Sequence, residues 1–369
     1  MCIRDRDIDI ATKYKPEKII EILSSNSIKV IPTGIDHGTV SIFTDTFNFE
    51  ITTLRSDIES DGRRAKVSFT DDWKEDSMRR DFTINSIYLS PNGDIFDPNN
   101  GTLDLTKGSI IFIGDPKERI QEDYLRILRY FRFNSYYGDE NITLSSQAYE
   151  ACKDLRVKLK NLSPERIQGE FLKILVAPNA RKNISAMSKA NIIKVIFDNT
   201  LDFSYFSRMV DIDSKYQYIP NPILRLVSLI YLQNISCNQL KMFSLSNKQK
   251  DLISLIVDKK INFFPEMKIN ELNKHLYFYG SEICAFGVRV CWSSDSDFQN
   301  DNKWLELLSI IEVWEKPTFP IKAEDIINQG IEEGPLLGQI LRKLESLWIS
   351  SNFIMDKGFL LSKINELIK

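Results

Sequence analysis

Histidine and cysteine are scarce in this sequence. Its 369 residues include two histidines and five cysteines, and the cysteines are scattered, with no Cys-x-x-Cys pair. A structural zinc site or a disulfide framework is therefore not expected, and chemistry built on several histidines is nearly excluded. Scattered thiols fit a reducing compartment, so we expect a cytoplasmic protein.

Long apolar runs and a strong net charge are also missing. No stretch of about eighteen apolar residues occurs, so the sequence predicts no membrane span and no membrane partner. The charged start lacks the apolar region of a secretory signal. The net charge of −3 gives no overall attraction to nucleic acid. Any RNA binding must then come from local basic patches, such as Arg63-Arg64-Ala65-Lys66 or the stretch from Lys241 to Lys260.

What the sequence does contain is a change of pattern near residue 110. Before it, short alternating segments predict strands, and after Pro116 the spacing predicts long amphipathic helices. The fold class is therefore α+β, with a small mixed sheet followed by an all-helical remainder. The predicted early elements are a strand at 7–11, a helix at 16–25, a hairpin of 39–44 and 47–52 around Asp45-Thr46, and strands at 83–89 and 110–113, with a turn at 91–94.

Carboxylates at alternate positions mark the first strand. Asp7 and Asp9 share one face of it, because side chains at i and i+2 point the same way. Two acids on a strand are more often a solvated edge. Their significance rises with Glu50 on a predicted neighbouring strand, because three converging carboxylates could hold Mg²⁺ for a nucleotidyl transfer.

A second pattern joins acids and arginines from Glu122 to Arg129. With helical spacing, Asp123, Arg126 and Arg129 would form one row able to read the edge of a base, since Asp accepts hydrogen bonds and Arg donates a fork of them. The alternative is an exposed helix face laced with salt bridges, which the pattern alone favours.

An ordered series of motifs resembles a known family. The series runs from Asp7-Ile8-Asp9, through Glu50-Ile51-Thr52-Thr53-Leu54-Arg55 and Arg79-Arg80-Asp81-Phe82-Thr83-Ile84-Asn85, to Glu122–Arg129 and Glu165-Arg166-Ile167. It resembles the class II tRNA nucleotidyltransferases, the CCA-adding enzymes, with the related bacterial poly(A) polymerases. These enzymes have a DNA polymerase β-like head.

The resemblance implies a role for particular residues. Asp7 and Asp9 match the metal-binding pair, and Glu50 matches the third active-site carboxylate. Arg80, Asp81 and Asn85 fall in the segment that binds the ribose and triphosphate. Asp123 and Arg126 match the amino-acid template that selects the incoming base, with Arg129 in support. The implied cofactor is Mg²⁺, and the implied partners are tRNA, CTP and ATP.

The resemblance also implies a division of the chain. We expect a nucleotidyltransferase head at 1–112, a helical neck with the nucleotide-selecting helix at 113–185, a helical body at 186–310 and a tRNA-contacting tail at 311–369. The family normally carries a Gly-Gly strand before the Asp-x-Asp, whereas only Met1-Cys2-Ile3-Arg4-Asp5-Arg6 precedes it here. We therefore expect a truncated start.

Three functions follow as hypotheses. The first is addition of CCA to the tRNA 3′ end from CTP and ATP. The second is a poly(A) polymerase or a partial enzyme that adds only C or only A, which the motifs do not separate cleanly from the first. The third is an inactive RNA-binding relic, which follows if the short start is genuine. The sequence gives no indication of oligomeric state.

Overall fold

The computed structural model describes residues 7–44, 48–59, 66–139, 146–233, 235–258 and 260–368. The predicted turn at Asp45-Thr46, residues Arg63 to Ala65 of the predicted basic patch and the start Met1–Arg6 lie outside them. The chain forms two compact units. The first is Met1–Leu201 with Leu240–Ser244, and the second is Asp202–Gln239 with Leu245–Lys369.

A four-stranded sheet opens the first unit. Its strands are β1 (Asp7–Thr12), β2 (Val30–Gly34), β3 (Thr39–Phe43) and β4 (Asn48–Thr53), with α1 (Pro16–Ser25) after the first. The order is β1-β4-β3-β2; β1 and β4 are parallel and the other neighbours antiparallel. The mixed sheet, the first strand and the helix at 16–25 are thus confirmed, and the two predicted hairpin segments pair over the described residues 39–43 and 48–52.

The two faces of this sheet differ in polarity. Val40, Ile42 and Ile51 are buried and pack with Ile19 of α1, so the helix covers the apolar face. The register pairs Ile10 with Ile51, which places this β1 position on the same apolar side. Because strand side chains alternate, the positions between them carry the polar residues of the opposite face.

The rest of the head contains shorter elements than the sequence predicted. They are β5 (Arg55–Glu59), β6 (Lys66–Phe69), α2 (Trp73–Met78), a 3₁₀ turn (Thr83–Asn85), β7 (Tyr88–Leu89), β8 (Ile95–Phe96) and α3 (Gly101–Thr106). The turn at 91–94 connects β7 and β8 as expected.

Two strand predictions in this region are wrong. The predicted strand at 83–89 is a 3₁₀ turn followed by two strand residues. Its polar side chains bond locally instead, since Ser86 Oγ donates to the Thr83 carbonyl at 2.8 Å. The apolar run at 110–113 forms only an isolated bridge between Phe112 and Phe82. Both phenylalanines are buried with their rings 4.6 Å apart, so this run is core rather than a sheet strand.

Helices complete both units. The first unit continues with α4 (Pro116–Glu122), α5 (Arg126–Tyr137), α6 (Ser146–Leu155), a 3₁₀ turn (Arg156–Asn161), α7 (Pro164–Val176), α8 (Ala180–Lys189) and α9 (Ile192–Phe197). The second contains α10 (Ser204–Lys215), α11 (Pro222–Ile230), α12 (Asn247–Val257), α13 (Ile269–Ser294), α14 (Asp301–Val313), α15 (Ala323–Ile327), α16 (Pro335–Ser350), α17 (Lys357–Ser362) and α18 (Ile364–Ile368). Among the described residues, no helix has the length and apolar character needed to cross a membrane.

Helix α13 is interrupted by a glycine. Gly280 has φ 81° and ψ 165°, a non-helical conformation that separates residues 269–279 from 281–294. That region of backbone space is essentially restricted to glycine. Before the kink, Tyr277 packs with Trp348 and Phe353. After it, Trp292 Nε1 donates to Asp301 at 2.7 Å. The kink therefore joins two separately packed stretches of one helix.

Candidate active site

The strand register brings two predicted carboxylates together. Asp9 on β1 and Glu50 on β4 are Cα partners in the parallel pair, and both side chains are exposed. They lie on the face opposite the apolar one that α1 covers. Asp7 belongs to the same strand two residues earlier, but its side chain is outside the described set. The backbone thus places the three predicted positions on the neighbouring strands β1 and β4, at positions that share one face of the sheet.

The donor set of this face suits a hard divalent cation. Asp9 and Glu50 offer carboxylate oxygens that are open to solvent, and such oxygens are the ligands that Mg²⁺ prefers. Among the described side chains, no group of three His, Cys, Asp or Glu residues is close enough to hold a metal ion. The two carboxylates are therefore a partial ligand set to which Asp7 is the predicted addition.

Buried Asp76 organises the arginines next to the predicted triphosphate segment. It accepts from the Arg55 backbone at 3.0 Å, from Arg79 Nε at 3.0 Å, from Tyr88 Oη at 2.7 Å and from Arg80 Nη2 at 3.3 Å. Burial alone would raise the pKa of Asp76, but Arg79 and these hydrogen bonds outweigh burial and lower it. An ionised Asp76 therefore anchors the Arg80 guanidinium.

Asp81 and Asn85 are joined directly. Asp81 is buried and accepts from the Phe82 backbone at 3.1 Å and from Asn85 Nδ2 at 3.0 Å. Its other oxygen accepts from Arg129 Nε. Burial is the largest single effect and favours the neutral acid, yet the charge and hydrogen bond of Arg129, with the hydrogen bond from Asn85, together outweigh burial and lower the pKa of Asp81. Three of the predicted nucleotide-binding residues, Asp81, Asn85 and Arg129, are thus in one contact network.

The predicted single helical face from Glu122 to Arg129 is wrong. Helix α4 ends at Glu122, Asp123 is extended with φ −151° and ψ 107°, and α5 begins at Arg126. The reason is local, because Asp123 Oδ1 accepts from the Leu125 backbone at 3.1 Å and so starts a new turn. Asp123 and Arg126 therefore flank a break between two helices.

Each of these two residues has a charged neighbour. Arg126 Nη1 donates to Glu122 Oε2 at 2.5 Å and to the Arg119 carbonyl at 2.8 Å. Asp123 Oδ2 accepts from Arg166 Nη2 of α7 at 2.7 Å. Each of the two side chains is therefore held by its own neighbours. These contacts orient both side chains in advance and restrict their rotation.

Helix α7 also braces α5 one turn further on. Glu170 forms an ion pair with Arg132 at 3.1 Å and lies 3.7 Å from Arg129 Nη1. Burial by itself would lower the pKa of Arg129, but Asp81 and Glu170 raise it. Arg129 is thus a fixed cation between Asp81 of the head and Glu170 of α7.

Sequence patterns gave no indication of two members of this network. Arg119 donates to the backbone carbonyls of Arg79 and Arg80, and Asp76 gathers four donors. In the sequence, Arg119 is marked only by its i, i+3 spacing to Glu122, and that spacing suggests no more than an ion pair on a helix surface. The contact of Arg119 with residues about forty positions earlier could not be read from the sequence.

Two family models match parts of the chain. The one described as "Poly A polymerase head domain" matches residues 1–111. The one described as "Probable RNA and SrmB- binding site of polymerase A" matches residues 141–203.

Similar proteins cover nearly the whole chain. The human and mouse proteins named "CCA tRNA nucleotidyltransferase 1, mitochondrial" are each 33% identical over 371 residues, covering 99% of this chain and 83% of the relative. A "CCA-adding enzyme" of Streptococcus sanguinis is 31% identical over 349 residues, covering 92% of this chain and 83% of the relative.

Solved structures share the fold. The Bacillus stearothermophilus CCA-adding enzyme in complex with CTP superimposes with a TM-score of 0.75 at 22% identity, covering 98% of this chain and 88% of that one. A Thermotoga maritima CCA-adding enzyme complexed with tRNA_CCA gives a TM-score of 0.60 at 18% identity, covering 100% of this chain and 88% of that one.

Proposed function

This chain belongs to the family of CCA-adding tRNA nucleotidyltransferases, and from that premise we propose that it adds C, C and A to the tRNA 3′ end. CTP and ATP are the proposed substrates and tRNA the proposed acceptor. The observation that carries the proposal is the register that pairs Asp9 with Glu50 on the polar face of the head sheet. The proposal is supported by this register because it sets two carboxylates side by side, as a metal-dependent nucleotidyl transfer requires.

We propose Asp7 and Asp9 as metal ligands and Glu50 as the third carboxylate. In the reaction, the tRNA 3′ oxygen forms a bond to the α-phosphorus, and the bond to the departing pyrophosphate breaks. Mg²⁺, when bound by these carboxylates, would lower the pKa of the 3′-hydroxyl and neutralise charge on the pyrophosphate. Arg80, held by Asp76, would bind the triphosphate, and Asn85, held by Asp81, would bind the ribose.

Asp123 and Arg126 are the proposed readers of the base, with Arg129 in support. Cytosine and adenine both present an amino donor beside a ring-nitrogen acceptor. An aspartate paired with an arginine complements that order, because the carboxylate accepts from the amino group and the guanidinium donates to the ring nitrogen. Uracil and guanine present a carbonyl oxygen in place of the amino group, which would face the carboxylate and be repelled. In the described contacts Arg126 donates from Nη1 to two protein acceptors. The other edge of its guanidinium group can therefore donate to the base.

The deciding experiment is primer extension on a tRNA transcript that ends at the discriminator base. CTP, ATP or both are supplied, with and without Mg²⁺. Extension that stops after C-C-A and requires the metal ion supports the proposal. An unbounded A ladder would instead indicate a poly(A) polymerase, and addition of C alone or A alone would indicate a partial enzyme. Binding of tRNA without incorporation would indicate an RNA-binding relic.

We also propose the four-part division with boundaries after residues 112, 185 and 310. The head and neck of this scheme fall within the first compact unit, which ends at Leu201 apart from a short later segment. The cytoplasmic location stays a prediction, and the mammalian relatives carry the word mitochondrial in their names.

A further inference from the structure

Arg119 connects the two halves of the proposed nucleotide site. Its side chain is only 14% exposed on α4. Nη1 donates to Glu122 Oε2 at 2.6 Å, and Nη2 donates to the carbonyls of Arg79 at 2.7 Å and Arg80 at 2.8 Å. The carbonyl of Arg119 itself accepts from Arg126 Nη1 at 2.8 Å. One residue therefore contacts both the segment beside Arg80 and the residue proposed to read the base.

Glu122 is shared between two guanidinium groups. Its Oε2 accepts from Arg119 at 2.6 Å and from Arg126 at 2.5 Å. Two cations this close repel each other, and after burial the charge of Arg126 is the main cause that lowers the pKa of Arg119. The shared carboxylate is what makes the pair stable. Any displacement of Arg119 would therefore move the Glu122 carboxylate and, through it, Nη1 of Arg126.

The other end of Arg119 fixes main chain rather than side chain. The carbonyls of Arg79 and Arg80 lie at the end of α2, where Arg79 is the C-cap. Carbonyls at a helix C-terminus lack partners within the helix and accept well from a guanidinium. Arg80 is held at its side chain by Asp76 and at its carbonyl by Arg119. The position of Arg80 relative to Arg126 is thus set through the guanidinium group of Arg119.

We propose that Arg119 is a positioning residue that couples base selection by Arg126 to placement of the triphosphate by Arg80. The inference rests on the proposed function, because it requires that Arg126 reads the base. In this arrangement a base that displaces Arg126 also displaces Arg119 and the backbone at Arg80. An incorrect nucleotide is then penalised twice, once at its base and once at its reacting phosphate.

The test is Arg119→Lys, which keeps the charge but cannot span Glu122 and two carbonyls with one ammonium group. The values of kcat and KM are measured for CTP, ATP, UTP and GTP on tRNA ending at the discriminator base, at C and at CC. We expect the ratio of correct to incorrect kcat/KM to fall roughly 10- to 100-fold, the scale of a misplacement of about 1 Å.

The matched control is Arg289→Lys. Arg289 is 15% exposed, forms an ion pair with Asp213 and belongs to the second compact unit. A decrease in the amount of folded enzyme lowers incorporation of all four nucleotides by the same factor, so the control should leave the selectivity ratio unchanged.

An Arg119→Lys enzyme whose ratio matches the parent and the control would overturn this inference alone. A parent chain that incorporates no nucleotide would overturn the proposed function first, and the inference with it. A second measurement separates coupling from simple damage. The effects of Arg119→Lys and Arg80→Lys on selectivity should be less than additive if the two residues act through one network, and additive if they do not.

Discussion

Asp9 and Glu50 are exposed acids whose removal should affect chemistry and not folding. We expect Asp9→Asn and Glu50→Gln each to abolish incorporation, because an amide oxygen carries no charge for a divalent cation. Both side chains are exposed, so the free energy of unfolding should change by no more than about 0.5 kcal/mol. Primer extension and denaturant unfolding are the two measurements.

An exposed acid elsewhere on the head serves as the control. Glu17→Gln changes the charge by the same amount on α1 and should leave incorporation unaltered. Normal turnover by Asp9→Asn would contradict the assignment of that residue to the active site.

Asp81 should make stability depend on pH in the acid range. Its folded pKa lies below the usual value, because the charge and hydrogen bond of Arg129 and the hydrogen bond of Asn85 together outweigh burial. The unfolded state then binds the proton first, so the stabilisation is fully present above the unfolded pKa of about 3.9 and is lost as pH falls through the folded pKa. Asp81→Asn should cost roughly 2–4 kcal/mol at neutral pH, because it leaves Arg129 without its nearest charge.

Urea unfolding of both proteins at several pH values between 7 and 3 checks this. The difference between parent and Asp81→Asn should hold at neutral pH and shrink as the pH falls toward and below the unfolded pKa of about 3.9. A difference that does not shrink down to pH 3 would mean that the pKa of Asp81 is not lowered in the folded state.

Gly280 decides the shape of one element, helix α13. A Cβ at this position would meet nothing within 4 Å, so alanine there is strained by its φ of 81° and not by a clash. We expect Gly280→Ala to lower the free energy of unfolding by about 1–3 kcal/mol, the cost of holding an L-residue in that region. Thermal or urea unfolding measures it.

The chain offers a matched control in Gly169 of α7. A Cβ there also meets nothing within 4 Å, and its φ lies outside the left-handed region. Gly169→Ala should therefore stabilise the protein by roughly 0.5–1 kcal/mol through helix propensity. Equal effects of the two substitutions would refute the argument from backbone conformation.

The elements that could be predicted from the sequence are those whose pattern is local. Alternation of Ile8 and Ile10 with Asp7 and Asp9 gave the first strand and its polar face, and Pro16 gave the start of α1. The break at Asp123 could not be predicted, because an amphipathic pattern that contains one aspartate also fits a continuous helix. Only the hydrogen bond from the Leu125 backbone to the Asp123 side chain ends the helix there. The contact of Arg119 with Arg80 depends on packing between α4 and the end of α2, which no periodicity records.

At the scale of the whole molecule, the net charge of −3 implies that RNA binding is local. The stretch predicted to be basic contains Lys248, Lys250 and Lys260, all exposed. We expect the triple substitution of these lysines by Gln to weaken tRNA binding about equally for tRNAs of different sequence. The slope of log Kd against log salt should also become shallower, by about 0.7–0.9 for each phosphate that the variant no longer neutralises.

The matched control for the lysine variant replaces the same three residues by Arg, which retains every charge. Filter binding or fluorescence anisotropy over a range of KCl concentrations gives both slopes. A Gln variant whose slope equals that of the Arg variant would place the RNA contacts elsewhere on the chain.

The pairing of Asp9 with Glu50 also limits which changes in chain length evolution can accept. A deletion or insertion of one residue inside β4 would turn Glu50 toward α1 and bring an isoleucine or phenylalanine to the polar face, because the strand repeats every two residues. Changes before Asn48 or after Thr53 leave the register intact. Natural length variation in this head should therefore accumulate beyond the ends of β4 and be absent within it.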